Sequence, residues 1–151
     1  MRGAELARFA LLAALGADER EALANALEPL ELGAGERLFD VGDPADGLLL
    51  VADGRVGLTS DPHGARGEFG PGAALGANSL VGEGVRVARA ETLSRARVLH
   101  LGRDAFQRFI DAQPRAACRL LEALLREQAH TTREALELVG AALVDRPASA
   151  D

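Results

Sequence analysis

From Pro29 to Gly84 the chain is punctuated by glycine or proline every few residues. The segments between these breaks are short and alternate apolar with polar: PLEL, ERLFD, LLLVAD and RVGLTS, then VRVARAETL and RARVLHL. Each reads as a β-strand, with Gly33, Gly35, Gly42, Gly47 and Gly54 marking turns, and DPHGARG as a loop or tight hairpin. Several short strands at regular spacing predict a sandwich or barrel rather than a parallel sheet.

Helical periodicity flanks this region on both sides. In MRGAELARFALLAAL, Leu6, Phe9, Ala10 and Ala13 fall on one helical face, and Glu5 and Arg8 interrupt the apolar run. The segment is therefore expected to be a packed helix rather than a signal peptide. A second helix is expected to start at the D-x-x-E pattern of Asp18 and Glu21, bury Ala22, Leu23, Ala26 and Leu27, and end before Pro29.

After Gly102 the period changes back. Phe106, Phe109 and Ile110 share a face, and Pro114 suits the first position of a long final helix. Along that helix Ala117, Leu121, Leu124, Gln128, Thr131, Ala135, Leu138 and Ala142 alternate steps of four and three, which is a heptad seam. The expected layout is a single domain over residues 1–145. Helices occupy 3–28, a β region 29–101 and helices again 103–142, with a flexible tail at 146–151.

A chain of 151 residues is long enough to bury about two-thirds of its unfolded surface. Its core must be built from Leu, Val, Ala and five Phe, because there is no Trp or Tyr and only one Met. All 17 basic residues are Arg, a bias expected of a GC-rich bacterial genome. The net charge of -6 argues against a nucleic-acid footprint. A lone cysteine, Cys118, precludes an internal disulfide and fits a reducing cytoplasm. No apolar run approaches the roughly 18 residues that span a bilayer.

Two stretches resemble the cyclic-nucleotide-binding domain family. GERLFDVGDPADGLLLVADGRVGL is similar to the front half of that domain, with its G-D-x-A-D pattern and a strand ending in Gly. GPGAALGANSLVGEGVRVA is similar to the phosphate-binding cassette, without a gap from Gly76 to Leu101. The resemblance implies a mainly β fold with flanking helices, a double-stranded β-helix jelly roll. Further, it implies a cassette in which an arginine and backbone amides hold a cyclic phosphate. A glycine-rich turn permits that close approach, and an arginine fork matches phosphate oxygens.

Transferred position by position, Gly76 matches the cassette glycine, Val85 the Pro/Val position, Arg86 the phosphate arginine and Ala88 the final alanine. Ala77 stands where the family has a ribose-binding Glu, and Val87 where it has a Ser or Thr. Asn78 and Ser79 replace an apolar pair, and Ala73 replaces the Asp of the preceding turn. A hydrogen bond to a charged group contributes about 1.5–3 kcal/mol, so loss of the carboxylate alone weakens binding roughly 10- to 150-fold. Arg86 is read either as an anion ligand or as an arginine at a strand start. Asn78 is either a substitute ribose acceptor or a turn residue, and Gly82 and Gly84 serve backbone geometry.

In the catabolite-activator branch of the family the last helix forms the dimer seam, and a Thr–Ser pair on it contacts the base. Thr131 and Thr132 occupy the similar point, while Gln128 and Thr131 also suit polar seam positions that set register. Cupin enzymes share the jelly roll, but His63, His100 and His130 are scattered, so neither a metal site nor catalysis is expected. His100 is read as an ordinary strand residue. Sequence ending soon after the last helix leaves no room for a helix-turn-helix, so direct transcription-factor activity is not expected unless the chain is a fragment.

Two functions follow from this reading. One is a non-enzymatic regulatory or adaptor module, with cyclic nucleotide binding weak or lost. It would act as a homodimer, or dock a protein partner, through Leu121, Leu124, Gln128, Thr131, Ala135 and Leu138. The other is a sensor that binds cAMP, cGMP, a cyclic dinucleotide or another anion through Arg86. Neither nucleic acid nor membrane is an expected partner.

Overall fold

The computed structural model describes residues 3–60, 65–76, 80, 84–86 and 88–126. Its centre is two four-stranded antiparallel sheets. The first contains β1 (Glu28–Leu32), β3 (Gly47–Asp53), β6 (Ala74–Leu75) and β8 (Ala96–Gly102), in the order β1-β8-β3-β6. The second contains β2 (Arg37–Phe39), β4 (Val56–Ser60), β5 (Ala65–Phe69) and β7 (Arg89–Thr92), in the order β2-β7-β4-β5. The expected jelly-roll sandwich with flanking helices is the fold observed.

The register explains why β3 reads LLLVA with no polar alternation. Leu49 and Val51 point between the sheets, where they meet Val56, Leu75, Ala90, Ala96 and Val98. Leu48, Leu50 and Ala52 point the other way, into a second cluster with Leu99, Leu101 and the helices. A strand buried on both faces gains no solvated side, and each fully buried Leu contributes about 1.5–3 kcal/mol. β1 is an edge strand, which is where Pro29 can sit without costing a ladder hydrogen bond. β5 and β6 carry too little apolar alternation to be legible from sequence. β5 nevertheless closes a hairpin on β4 across the DPHGARG stretch, from Val56↔Phe69 to Ser60↔Ala65.

The first helix departs from expectation. Instead of one α-helix, a short α1 (Gly3–Leu6) is followed by a 3-10 turn at Ala10–Leu12. The buried residues are Leu6, Phe9, Leu12 and Leu15, three apart, while Ala10 and Ala13 are exposed. Hydrogen bonds run Phe9 N to Leu6 O (3.0 Å), Leu12 N to Phe9 O (2.9 Å) and Leu15 N to Leu12 O (3.1 Å). A stripe repeating every three residues fits three residues per turn better than 3.6.

α2 (Ala17–Ala26) also starts differently from the expected D-x-x-E signal. Glu19, rather than Glu21, accepts from the Gly16 amide at 2.8 Å, and its carboxylate is also 2.5 Å from Arg119. The Gly16 amide, seconded by Arg119, holds the Glu19 carboxyl below its ordinary range.

α3 (Arg103–Ala112) buries Phe106 and Phe109, with Ile110 packed against the same cluster. Pro114 opens α4, described over 114–126. In it Ala117 and Leu124 are buried in the chain's own core and Leu121 packs against that core, so Leu121 and Leu124 are not a free partner-facing stripe. Leu125 faces outward at 69% exposure. Gln128, Thr131, Thr132, Ala135, Leu138 and Ala142 lie outside the described residues, as does the 146–151 tail.

Leu124→Ala is expected to cost about 2–5 kcal/mol in urea unfolding, and Leu125→Ala less than about 0.5 kcal/mol. Comparable losses at the two positions would contradict this orientation of the helix.

Candidate anion-binding site

Arg86 lies on a short segment clamped to the turn before β3. Its carbonyl accepts from Gly42 N at 2.8 Å, its amide donates to Asp43 O at 2.7 Å, and Ala45 N donates to Gly84 O at 3.0 Å. A Pro44↔Val85 bridge completes the pairing. This clamp leaves Val85 exposed and turns the Arg86 side chain inward, where the residue is 7% exposed.

A buried guanidinium must find partners. Arg86 Nη2 donates to Gly47 O at 2.9 Å and lies 3.4 Å from Asp46 Oδ1. Its Cζ sits 4.5 Å from the centroid of the Phe39 ring, within cation–π range. Gly76 closes the other side. The β3–β6 pairing Leu49↔Leu75 brings Gly76 beside Gly47, and a Cβ built on Gly76 would lie 2.3 Å from Arg86 Nη1 and 3.1 Å from Gly47 O. Gly76 also has φ +79, a left-handed backbone that favours glycine. Thus the fold brings together two residues, Gly76 and Arg86, that lie ten apart in the matched cassette.

Ala88 is described and half-buried, with no side-chain chemistry to contribute. Ala77, Asn78, Ser79, Gly82 and Val87, like Thr131 and Thr132, lie outside the described residues. The groups that sequence reasoning missed are Asp46, Gly47 and Phe39, together with His100. Asp46 and Gly47 end the GDPADG stretch, so a signal for them was present in the motif. His100 is a strand residue of β8, as expected, and its Nε2 stands 3.6 Å from Asp46 Oδ1.

The turn that carries Asp43 has its own electrostatic brace. Asp40 accepts from Arg89 Nε at 3.0 Å, from Arg37 Nη1 at 3.0 Å and from Val41 N at 2.8 Å. The Arg89 hydrogen bond, followed by the Val41 amide, keeps the Asp40 carboxyl below its ordinary range. A folded-state pKa lowered in this way adds stability above the ordinary carboxylate range. That contribution is lost as acid protonates Asp40.

A cleft of about 670 Å³ adjoins Asp46, lined among others by Glu28, Pro44, His100, Arg103, Asp104 and Arg108. It includes neither Arg86 nor Gly76. Among the described residues no group of three His, Cys, Asp or Glu side chains is placed to hold a metal ion. What the site offers chemically is a buried cation beside a glycine turn, suited to a singly charged anion.

The cyclic nucleotide-binding domain family profile matches residues 29–113, more than half of the chain. The chain is 26% identical over 138 residues to a CRP-like cAMP-activated global transcriptional regulator of Mycobacterium tuberculosis, covering 89% of this chain and 62% of that protein. It thus spans under two-thirds of that relative's length. The N-terminal domain of a transcriptional regulator from Streptomyces coelicolor superposes with TM-score 0.72 at 32% identity, covering 84% of this chain and 94% of that one. A cyclic nucleotide-binding domain from Methylobacillus flagellatus reaches TM-score 0.81 at 20% identity, a likeness of fold, over 98% and 87% of the two chains.

Gly72 and Gly76 both have positive φ, but a Cβ on Gly72 meets nothing within 4 Å. Gly72→Ala is therefore expected to cost about 1 kcal/mol of backbone strain. Gly76→Ala is expected to cost a further 1–3 kcal/mol, roughly, from overpacking against Arg86. Equal losses in thermal or urea unfolding would contradict the packing described.

Proposed function

Because this chain belongs to the cyclic nucleotide-binding domain family, we propose that it is a non-enzymatic regulatory module whose own affinity for cyclic nucleotides is weak or lost. The observation that carries the reading is the state of Arg86. Its guanidinium is already engaged by Gly47 O, Asp46 and the Phe39 ring. An incoming phosphate must compete with these contacts, and Ala77 and Val87 supply neither the carboxylate nor the hydroxyl that the family uses to repay that competition.

Any ligand would be held by Arg86 and the backbone around Gly76; Ala77, Asn78, Ser79, Val87, Ala88, Thr131 and Thr132 are proposed as further contacts on the family resemblance alone. The alternative is a small-ligand sensor that binds cyclic AMP or GMP, a cyclic dinucleotide or another anion through Arg86; the contacts that already engage that guanidinium weigh against it. Regulation would then run through dimerisation or a protein partner. Within the described part of α4 the exposed face carries Cys118, Glu122 and Leu125, whereas Leu124 belongs to the core and Leu121, partly buried, packs against it. The charge of -6 and the single cysteine suit a cytoplasmic protein that does not itself bind nucleic acid. Among the described residues no helix is long and apolar enough to cross a membrane.

Restoring the family's groups tests the proposal. In calorimetric titrations with cyclic AMP, the Ala77→Glu, Val87→Ser double variant is expected to bind roughly 10- to 150-fold more tightly than wild type. Micromolar binding by the wild type, unchanged in the double variant, would overturn it.

A further inference from the structure

On β8 the side chains of Ala96, Val98 and His100 share one face. The first two are buried between the sheets, and His100 ends the row at the rim, 22% exposed. It is paired across the strands with Leu49 of β3 and Glu28 of β1. Asp46 Oδ1, the oxygen 3.6 Å from His100 Nε2, is the same oxygen that stands 3.4 Å from Arg86 Nη2. One carboxylate oxygen is shared between a fixed cation and a titratable ring.

We propose that His100 is a positioning residue for the Arg86 site, whose protonation draws Asp46 off the guanidinium, so that a singly charged phosphate binds more tightly in mildly acidic than in neutral solution. The inference rests on the reading of Arg86 as the phosphate-facing group. With a neutral imidazole, Asp46 faces the guanidinium as its counter-charge. With an imidazolium, Asp46 answers two cations, and one positive charge is added beside the ligand-facing group.

Other charged groups line the cleft beside His100. Glu28 on β1 and Asp104 on α3 favour the imidazolium, and Arg103 and Arg108 on α3 oppose it. Asp46 is anchored from the same helix, since the Arg103 amide donates to Asp46 O at 3.2 Å and Arg103 Nη2 donates to Ala45 O at 2.5 Å. The backbone is thereby fixed, while the carboxylate between the two cations belongs to a side chain 71% exposed. That exposure also screens the effect and limits it to about three- to tenfold in affinity.

The test is calorimetric titration with cyclic AMP, whose phosphate keeps its single charge, at about pH 5.5 and about pH 8, the range in which histidine ordinarily changes charge. Wild type is expected to bind about three- to tenfold more tightly at the lower pH and to take up protons on binding, by linkage. His100→Gln should bind equally at both, and Arg86→Ala at neither. Binding that needs Arg86 but keeps the same pH slope in His100→Gln overturns the inference and leaves the site reading intact. Binding that survives in Arg86→Ala overturns the site reading. A ligand-free measurement keeps the two apart: the Arg86 side-chain nitrogen resonance should differ between the two pH values in wild type and stay constant in His100→Gln. A flat Arg86 signal in wild type overturns the coupling whether or not cyclic AMP binds.

Discussion

A guanidinium buried at 7% exposure is the constraint around which the β-roll is arranged. An unpaired charge there would cost several kcal/mol, so every neighbour of Arg86 must either accept from it, stack on it or make room for it. Gly47 O accepts, Asp46 stands opposite in charge, Phe39 stacks, and Gly76 gives up its side chain. These four come from the start of β3, the turn before it, the end of β2 and the residue after β6. No local stretch of chain could assemble them. The β3–β6 ladder and the clamp between 42–45 and 84–86 do so.

The same residues tie the site to the helical layer. Asp46 meets Arg86 through its side chain and the first residue of α3 through its carbonyl. β3 carries the site at its N-terminal end and presents Leu48 and Leu50 to the helices along its length. A ligand that displaced Asp46 would therefore act on a residue already bonded to α3. This is the physical connection a regulatory domain needs between pocket and helices.

Sequence showed the parts that depend on local period. β3 and β8 were legible from apolar runs between glycines, and the Phe106, Phe109, Ile110 face of α3 from helical spacing. The 3-10 turn was missed because Leu6, Phe9, Leu12 and Leu15 also satisfy part of a helical pattern, and only packing chooses between periods. In the described half of α4 the expected seam positions Ala117 and Leu124 are buried in the chain's own core, and Leu121 packs against it. Ala117, Leu121 and Leu124 form a stripe, but a stripe does not say whether its own core or a partner covers it. At the site, Gly76 and Arg86 came from the family resemblance. His100 did not, because its proximity to Asp46 exists only through the β1–β8–β3 register.

The proposed function requires that the phosphate-gripping half of the pocket persist while the sugar-gripping half has gone. Comparing the affinities of cyclic AMP and its 2′-deoxy analogue tests this most directly, because the two differ only in the hydroxyl that a ribose-binding carboxylate would hold. Equal affinity, within about twofold, is the predicted result. A preference of about tenfold or more for the ribose form would contradict it.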